Sequence, residues 1–157
     1  MAKKEIFFKS FLPQPPEFDF NDISGILDRN NFSTRIVSNW KTDYMLQSVF
    51  QIFRVHLTPE FNPLWQEMEK KFNPEKLDSN FDMFFCMSSG VSGPVHIDEE
   101  ESVHIIQVKG TVVYKLVDKM YELNPGDMLN VPSGELHQAI GLTPRITLSY
   151  GRFVNRS

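Results

Sequence analysis

The chain has 157 residues, 41% hydrophobic and 13% aromatic, which is enough for one globular domain with a substantial core and too few for two ordinary ones. Its net charge of −4 argues against a general nucleic-acid binder, and no apolar run approaches the roughly 18 residues of a transmembrane helix. The N-terminus lacks a signal-peptide core, and the single cysteine, Cys86, cannot form an internal disulfide. These features predict a cytoplasmic protein with no nucleic-acid or membrane partner.

The first half of the domain, residues 1–80, is predicted to form an arm and helices that pack on the second half. Residues 6–20 are rich in Phe and Pro, and because Pro blocks both helices and central strands, they are predicted to lie extended over the domain. Helices are predicted at 22–29, after an Asn or Asp cap, and at 64–72, where apolar residues recur at helical spacing. Residues 40–57 mix helical and strand periods, so both readings stay open.

The second half, residues 81–153, is predicted to be the β-barrel core of a single domain spanning 1–157. Apolar segments here are short and are separated by turns rich in Gly, Pro, Asn and Ser. The predicted strands are 83–87, 103–108, 111–117, 121–123, 127–131, 137–140 and 145–153. Seven such strands at close spacing predict an all-β sandwich or barrel, whose interior the 14 Phe residues help to fill.

Two stretches of this half contain side chains suited to metal binding. The first reads Gly90-x5-His96-x-Asp98, and the second reads Gly126-x5-Pro132-x-Gly134-x2-His137. Because residues i and i+2 of a strand point to the same face, His96 and Asp98 can reach one point inside a barrel. His137 follows a turn that would start a neighbouring strand. Two imidazoles and one carboxylate, with three positions left open, form the donor set that suits non-haem Fe(II).

These motifs resemble the two-motif signature of the cupin superfamily over residues 81–153. The His-x-Asp…His pattern resembles the iron triad of the Fe(II)/2-oxoglutarate oxygenases, particularly the Jumonji-C-like and cupin-like hydroxylases. The resemblance implies a mainly β double-stranded β-helix (a cupin or jelly-roll barrel) with a few N-terminal helices. It also implies Fe(II) held by the catalytic residues His96, Asp98 and His137, with 2-oxoglutarate and O2 as co-substrates. The expected reaction is hydroxylation or demethylation of an unidentified small molecule, peptide or protein.

The resemblance further implies a cation for the distal carboxylate of 2-oxoglutarate. In the Jumonji-C-like families this is usually a Lys two residues past the glycine of a strand turn, and that position here is Val112. Oxygenases that resemble the prolyl hydroxylases use an Arg on the strand after the last His. Arg145 is predicted to take that role, with Thr147 or Ser149 on the same strand face supplying a hydroxyl. Lys115 is the alternative cation.

Other polar residues near the motifs have alternative interpretations. Tyr114 could add a phenol hydrogen bond to the co-substrate. Cupins with other chemistries place a Glu ligand where this chain has Val103, and His104, one residue later, is expected to point away from the cavity. The acidic run 99–101 is expected to be a solvated loop.

Two other functions remain open from the sequence. One is a small metal-binding cupin with chemistry independent of 2-oxoglutarate, such as a dioxygenase or isomerase. The other is a non-catalytic cupin binding module. A homodimer is also expected, because cupins commonly pair through sheet edges.

Overall fold

The computed structural model describes residues 6–30, 34–38, 49–90 and 95–154. Its elements in chain order are β1 Phe7–Phe8, α1 Phe20–Asn30, β2 Thr34–Ser38, β3 Val49–Ile52, a 3-10 turn Val55–Leu57, α2 Asn62–Phe72, β4 Ser79–Cys86, β5 Glu101–Lys109, β6 Val112–Leu116, β7 Lys119–Leu123, β8 Met128–Val131, β9 His137–Gly141 and β10 Arg145–Phe153. Among the described residues, no helix is both long enough and apolar enough to cross a membrane.

The strands form two antiparallel sheets that face each other. The larger sheet has the order β1-β8-β5-β10-β4-β3-β2, and the smaller has the order β7-β6-β9. An isolated bridge between His96 and His137 adds the segment around His96 to the free edge of β9. From β4 onward the chain passes back and forth between the sheets, except at the β6–β7 hairpin within the smaller sheet, and this is the winding of a double-stranded β-helix. The predicted mainly β fold is confirmed.

The described elements agree with most of the predicted ones. All seven predicted strands are present, and β10 has the predicted bounds, whereas β4 begins four residues earlier than expected. Both predicted helices are present, each beginning two residues before the predicted start. Residues 40–48 of the ambiguous segment lie outside the described residues, and its remainder forms β3 and the 3-10 turn.

The N-terminal half contributes more than an arm and helices, because β1, β2 and β3 extend the larger sheet. Sequence periodicity missed β1 and β2 and left β3 open between helix and strand. The first has only two residues, in a Pro-rich stretch, and the third has only four, too few for an alternating pattern to show. Strand β1 pairs with β8. The arm after β1 was predicted to be extended, but it forms turns, and a hydrogen bond of 2.9 Å from Leu12 N to Gly126 O attaches it to the domain.

Strands β5, β8 and β10 of the larger sheet are largely buried on both faces, which explains their apolar runs. On β10, Ile146, Leu148 and Tyr150 belong to a core shared with Phe61 and with Met68 of α2. The intervening residues of β10 face the smaller sheet. A second apolar cluster lies between the two sheets and consists of Val103, Ile105, Val112, Tyr114, Leu116, Leu123, Leu129 and Val131. The inner face that this alternation creates is where the candidate site lies.

Candidate metal centre

The three predicted metal ligands are brought together at one end of the smaller sheet. His96 and His137 exchange two backbone hydrogen bonds of 3.0 Å, from each N–H to the other's carbonyl. The loop that carries Asp98 is tied to the second motif by a 2.9 Å bond from Gly134 N to Asp98 O. One ligand atom from each of His96, Asp98 and His137 lies within 4.8 Å of the other two.

The separations between these atoms are close to those of a metal-bound set. Asp98 Oδ2 is 3.4 Å from His137 Nε2 and 3.7 Å from His96 Nε2. Two ligands bound at about 2.1 Å and at a right angle to one another are about 3 Å apart, so small movements would complete the coordination. The side chain of His137 is 6% exposed and that of His96 is 46% exposed, so the site is closed on one side and reachable on the other.

The hydrogen bonding of His137 supports a cation at this point. Its Nδ1 lies 2.9 Å from the carbonyl oxygen of Glu135, and because a carbonyl only accepts, Nδ1 carries the proton and donates. Burial lowers the pKa of His137 and His96 adds to this effect, although the bond to Glu135 and the charge of Asp98 oppose it. The neutral ring then presents the Nε2 lone pair to the Asp98 carboxylate. Two facing acceptors repel, and a metal ion between them removes that repulsion, so the donor set fits a cation.

The triad borders a cavity of about 550 Å³ between the two sheets, a size typical of small-molecule sites. Arg145 lines the same cavity, and it is 4% exposed at the first position of β10, opposite Cys86. Burial lowers the pKa of Arg145, yet an arginine keeps its charge at neutral pH. A guanidinium in such a cavity is suited to binding a carboxylate through two parallel hydrogen bonds.

The other predicted co-substrate residues divide into two groups. Thr147 and Ser149 line the cavity, as the strand face they share with Arg145 predicted, and Tyr114 of the smaller sheet lines it as well. Burial raises the pKa of Tyr114 to about 12, with the Arg145 charge lowering it and the Asp98 charge raising it, so the phenol stays protonated and can donate. Lys115 is exposed and does not line the cavity. As its side chain is on the face of β6 opposite to Tyr114, the expectation that it could replace Arg145 is not supported by its position.

A polar wall that sequence reasoning missed lies farther along the larger sheet. It consists of Gln51, Asn80, Asp82 and Glu101, all of which line the cavity. Gln51 Nε2 donates to Asp82 Oδ2 at 2.9 Å, and Asn80 Nδ2 donates to Glu101 Oε1 at 3.3 Å. One signal was available, because Asp82 interrupts an otherwise apolar strand segment. Of the acidic run 99–101, the first two residues are exposed as expected, whereas the third belongs to this wall.

The wall and Arg145 are at different places along the cavity. Asp82 pairs with Ser149 of β10, four residues from Arg145, which corresponds to about 13 Å along a strand. The cavity therefore has a cation at one end and carboxylates at the other. A ligand that spans it meets opposite charges at its two ends.

His104 lies outside the site, as expected from its strand position. It is 2% exposed on the outer face of β5, where its ring packs against Phe72 at a tilt of 32°, with centroids 4.3 Å apart. Val103, at the position where other cupins have a Glu ligand, lines the cavity instead. The fourth acidic ligand of those cupins therefore has no counterpart at this position.

The fold of this chain is similar to that of a solved oxygenase. No protein-family model matches the sequence, and no curated protein matches it. YcfD, a ribosomal oxygenase from Escherichia coli, superposes with a TM-score of 0.79 at 18% identity over 97% of this chain and 48% of YcfD. YcfD in complex with cobalt and 2-oxoglutarate superposes with a TM-score of 0.72 at 19% identity, over 89% of this chain and 45% of that one. This chain spans about half the length of these structures, and at this identity the likeness establishes the fold.

Proposed function

We propose that this chain carries the active site of a non-haem Fe(II)/2-oxoglutarate-dependent oxygenase that hydroxylates or demethylates a substrate. The observation that carries the proposal is the convergence of two imidazoles, one carboxylate and a buried Arg145 on a single cavity. Neither the group of three metal ligands nor the buried arginine is by itself specific for this class of enzyme. Together they offer three metal ligands and, in the same cavity, a cation for a dicarboxylic co-substrate.

In this proposal His96, Asp98 and His137 hold the metal. The bound metal and 2-oxoglutarate would supply the activation of O2 and the oxidation of the substrate. The chain's own contribution to the metal is electrostatic and geometric. Asp98 supplies the one negative charge of the ligand set, and the Glu135 carbonyl fixes the His137 ring so that Nε2 points at the site.

Arg145 binds the distal carboxylate of the co-substrate in this proposal. Its low exposure matters, because a charge pair that is shielded from water is much stronger than an exposed one. Tyr114 belongs to the smaller sheet, and the charges of both Arg145 and Asp98 act on its phenol. A proton donor there would help to hold a chelating acid whose other end lies at the metal.

Support from known proteins comes from the described neighbour. YcfD is a ribosomal oxygenase, and structures of it contain cobalt with either 2-oxoglutarate or succinic acid. This chain has a similar fold, and His96, Asp98 and His137 are grouped closely enough to hold a metal ion in the proposed complex. Val112, at the usual lysine position, favours the alternative of a metal-binding cupin that does not use 2-oxoglutarate.

An anaerobic titration distinguishes these functions. Purified protein is titrated with Fe(II), with and without 2-oxoglutarate, while the weak visible charge-transfer band of the chelate is recorded. The oxygenase proposal expects the band with both components and its loss in His137→Ala, which should not bind iron. Iron binding without the band would favour the chemistry independent of 2-oxoglutarate. Absence of iron binding in a folded protein would favour the non-catalytic module.

A further inference from the structure

A buried amide next to the proposed carboxylate site has a fixed orientation. Gln107 of β5 is fully buried, and its Nε2 donates to the carbonyls of Lys109 at 2.8 Å and Gly110 at 3.0 Å. Carbonyl oxygens only accept hydrogen bonds, so the side chain cannot be turned over without placing its own oxygen against two others. The Oε1 atom must therefore point away from this turn, toward β10.

That orientation determines the role of the Thr147 hydroxyl. Thr147 is 3% exposed, and its Oγ1 donates to Gln107 Oε1 at 2.7 Å. A hydroxyl has one proton, and this one is used within the protein. Thr147 therefore presents oxygen lone pairs, and no donor, to any ligand in the cavity.

We propose that Gln107 is a positioning residue that keeps Thr147 an acceptor, so that Thr147 does not bind the carboxylate of the co-substrate. The inference rests on the proposed function insofar as the ligand beside Arg145 is a carboxylate. Arg145 and Tyr114 then remain as donors among the described residues that line this part of the cavity. A carboxylate oxygen placed next to Thr147 Oγ1 would face another acceptor, so the co-substrate is held away from that side chain.

The inference changes the role that the sequence pattern suggests for this strand. An Arg-x-Thr sequence on one strand face predicts that guanidinium and hydroxyl donate to the same carboxylate. Gln107, on a neighbouring strand, removes the hydroxyl from that pair. Removing the Thr147 hydroxyl should therefore change the affinity for the ligand little. Breaking its hydrogen bond to Gln107 should raise that affinity.

Three variants test this with the affinity for 2-oxoglutarate, read from the charge-transfer band of the anaerobic Fe(II) protein. Thr147→Val should bind within about threefold of wild type, whereas Tyr114→Phe should bind about tenfold or more weakly, because it removes a donor to a charged group. Gln107→Met should bind more tightly than wild type, since the hydroxyl becomes available to the carboxylate. The double variant Gln107→Met/Thr147→Val should lose that gain, which a merely structural role of Gln107 would not predict.

A second measurement needs neither metal nor co-substrate. In NMR spectra of the isotope-labelled wild-type chain, the Thr147 hydroxyl proton should exchange slowly with water and show a nuclear Overhauser effect to the Gln107 side chain. A tenfold weaker affinity in Thr147→Val with an unchanged melting temperature, or a rapidly exchanging hydroxyl proton, would overturn the inference. If wild type shows no charge-transfer band at all, the oxygenase proposal fails, and the NMR result alone decides the role of Gln107.

Discussion

Replacing Arg145 by Met should weaken the binding of 2-oxoglutarate strongly while leaving the stability of the ligand-free protein little changed or higher. Arg145 is 4% exposed, so a carboxylate bound to it would form hydrogen bonds largely shielded from water. Each bond between charged groups contributes about 1.5–3 kcal/mol, so losing two of them should cost about 3–6 kcal/mol. At about 1.4 kcal/mol per tenfold change, the affinity for 2-oxoglutarate should fall by about 10²–10⁴-fold.

The ligand-free protein should respond differently to the same substitution. A buried charge has a large desolvation cost, which Arg145→Met removes, and methionine keeps much of the apolar length of the side chain. We therefore expect the free energy of unfolding of Arg145→Met to be within about 1 kcal/mol of wild type, or higher. Stability is measured by urea denaturation without ligand, and affinity by the charge-transfer band of the anaerobic Fe(II) protein.

Arg152→Met is the matched control, because Arg152 is on the same strand but does not line the cavity. It should bind 2-oxoglutarate as wild type does. If Arg145→Met binds the co-substrate within threefold of wild type, Arg145 does not hold its carboxylate, and the reasoning is refuted. A large loss of stability in Arg145→Met would contradict the expectation that burying the charge is costly. The affinity of the fraction that remains folded would then decide whether Arg145 binds the carboxylate.

Three further predictions concern the metal, the backbone and the phenol. His137→Ala should abolish Co(II) binding, followed by its visible absorption, whereas His104→Leu should keep it, because the His104 ring packs outside the cavity. Gly126→Ala should destabilise the fold by about 2–4 kcal/mol in denaturant titrations, since a Cβ would overlap the carbonyl of the N-terminal arm at a φ of 95°. Gly134→Ala has a φ of 82° and open space, so it should cost only about 1–2 kcal/mol. Absorbance at 295 nm should show Tyr114 ionising near pH 12, and because an unfolded tyrosine ionises near 10, the stability it contributes should be lost as pH rises between these values.

The parts of the fold that could be predicted are those with a local pattern. The strands of the second half show alternating apolar and polar residues between turns. The two metal motifs space their ligands so that a strand and a turn bring the three side chains close together. Residues 6–20 were harder, because β1 is defined only by its pairing with β8, which local sequence does not encode. Sheet partners are decided by packing that involves the whole chain.

The positions of the site residues could be predicted from the sequence, whereas the hydrogen bonding between them could not. The positions of His96, Asp98 and His137 follow from their motifs, and that of Arg145 follows from parity along one strand. The role of Thr147 depends on Gln107, forty residues earlier in the chain, whose amide orientation is in turn set by the turn after β5. Hydrogen-bond direction of this kind is a property of three-dimensional packing, so residue types and spacing could not reveal it.

The valine at position 112 does not by itself argue against a carboxylate site. Val112 is 1% exposed and packs in the apolar cluster between the sheets, and it does not line the cavity. A lysine there would have to desolvate its charge among apolar side chains, and with Arg145 already in the cavity it would need a second anion to avoid repulsion. A co-substrate requires a cation at a given distance from the metal, and either sheet of the barrel can provide it. In the proposed oxygenase Arg145 on β10 would supply this cation, so a valine at position 112 is compatible with a carboxylate site in the cavity.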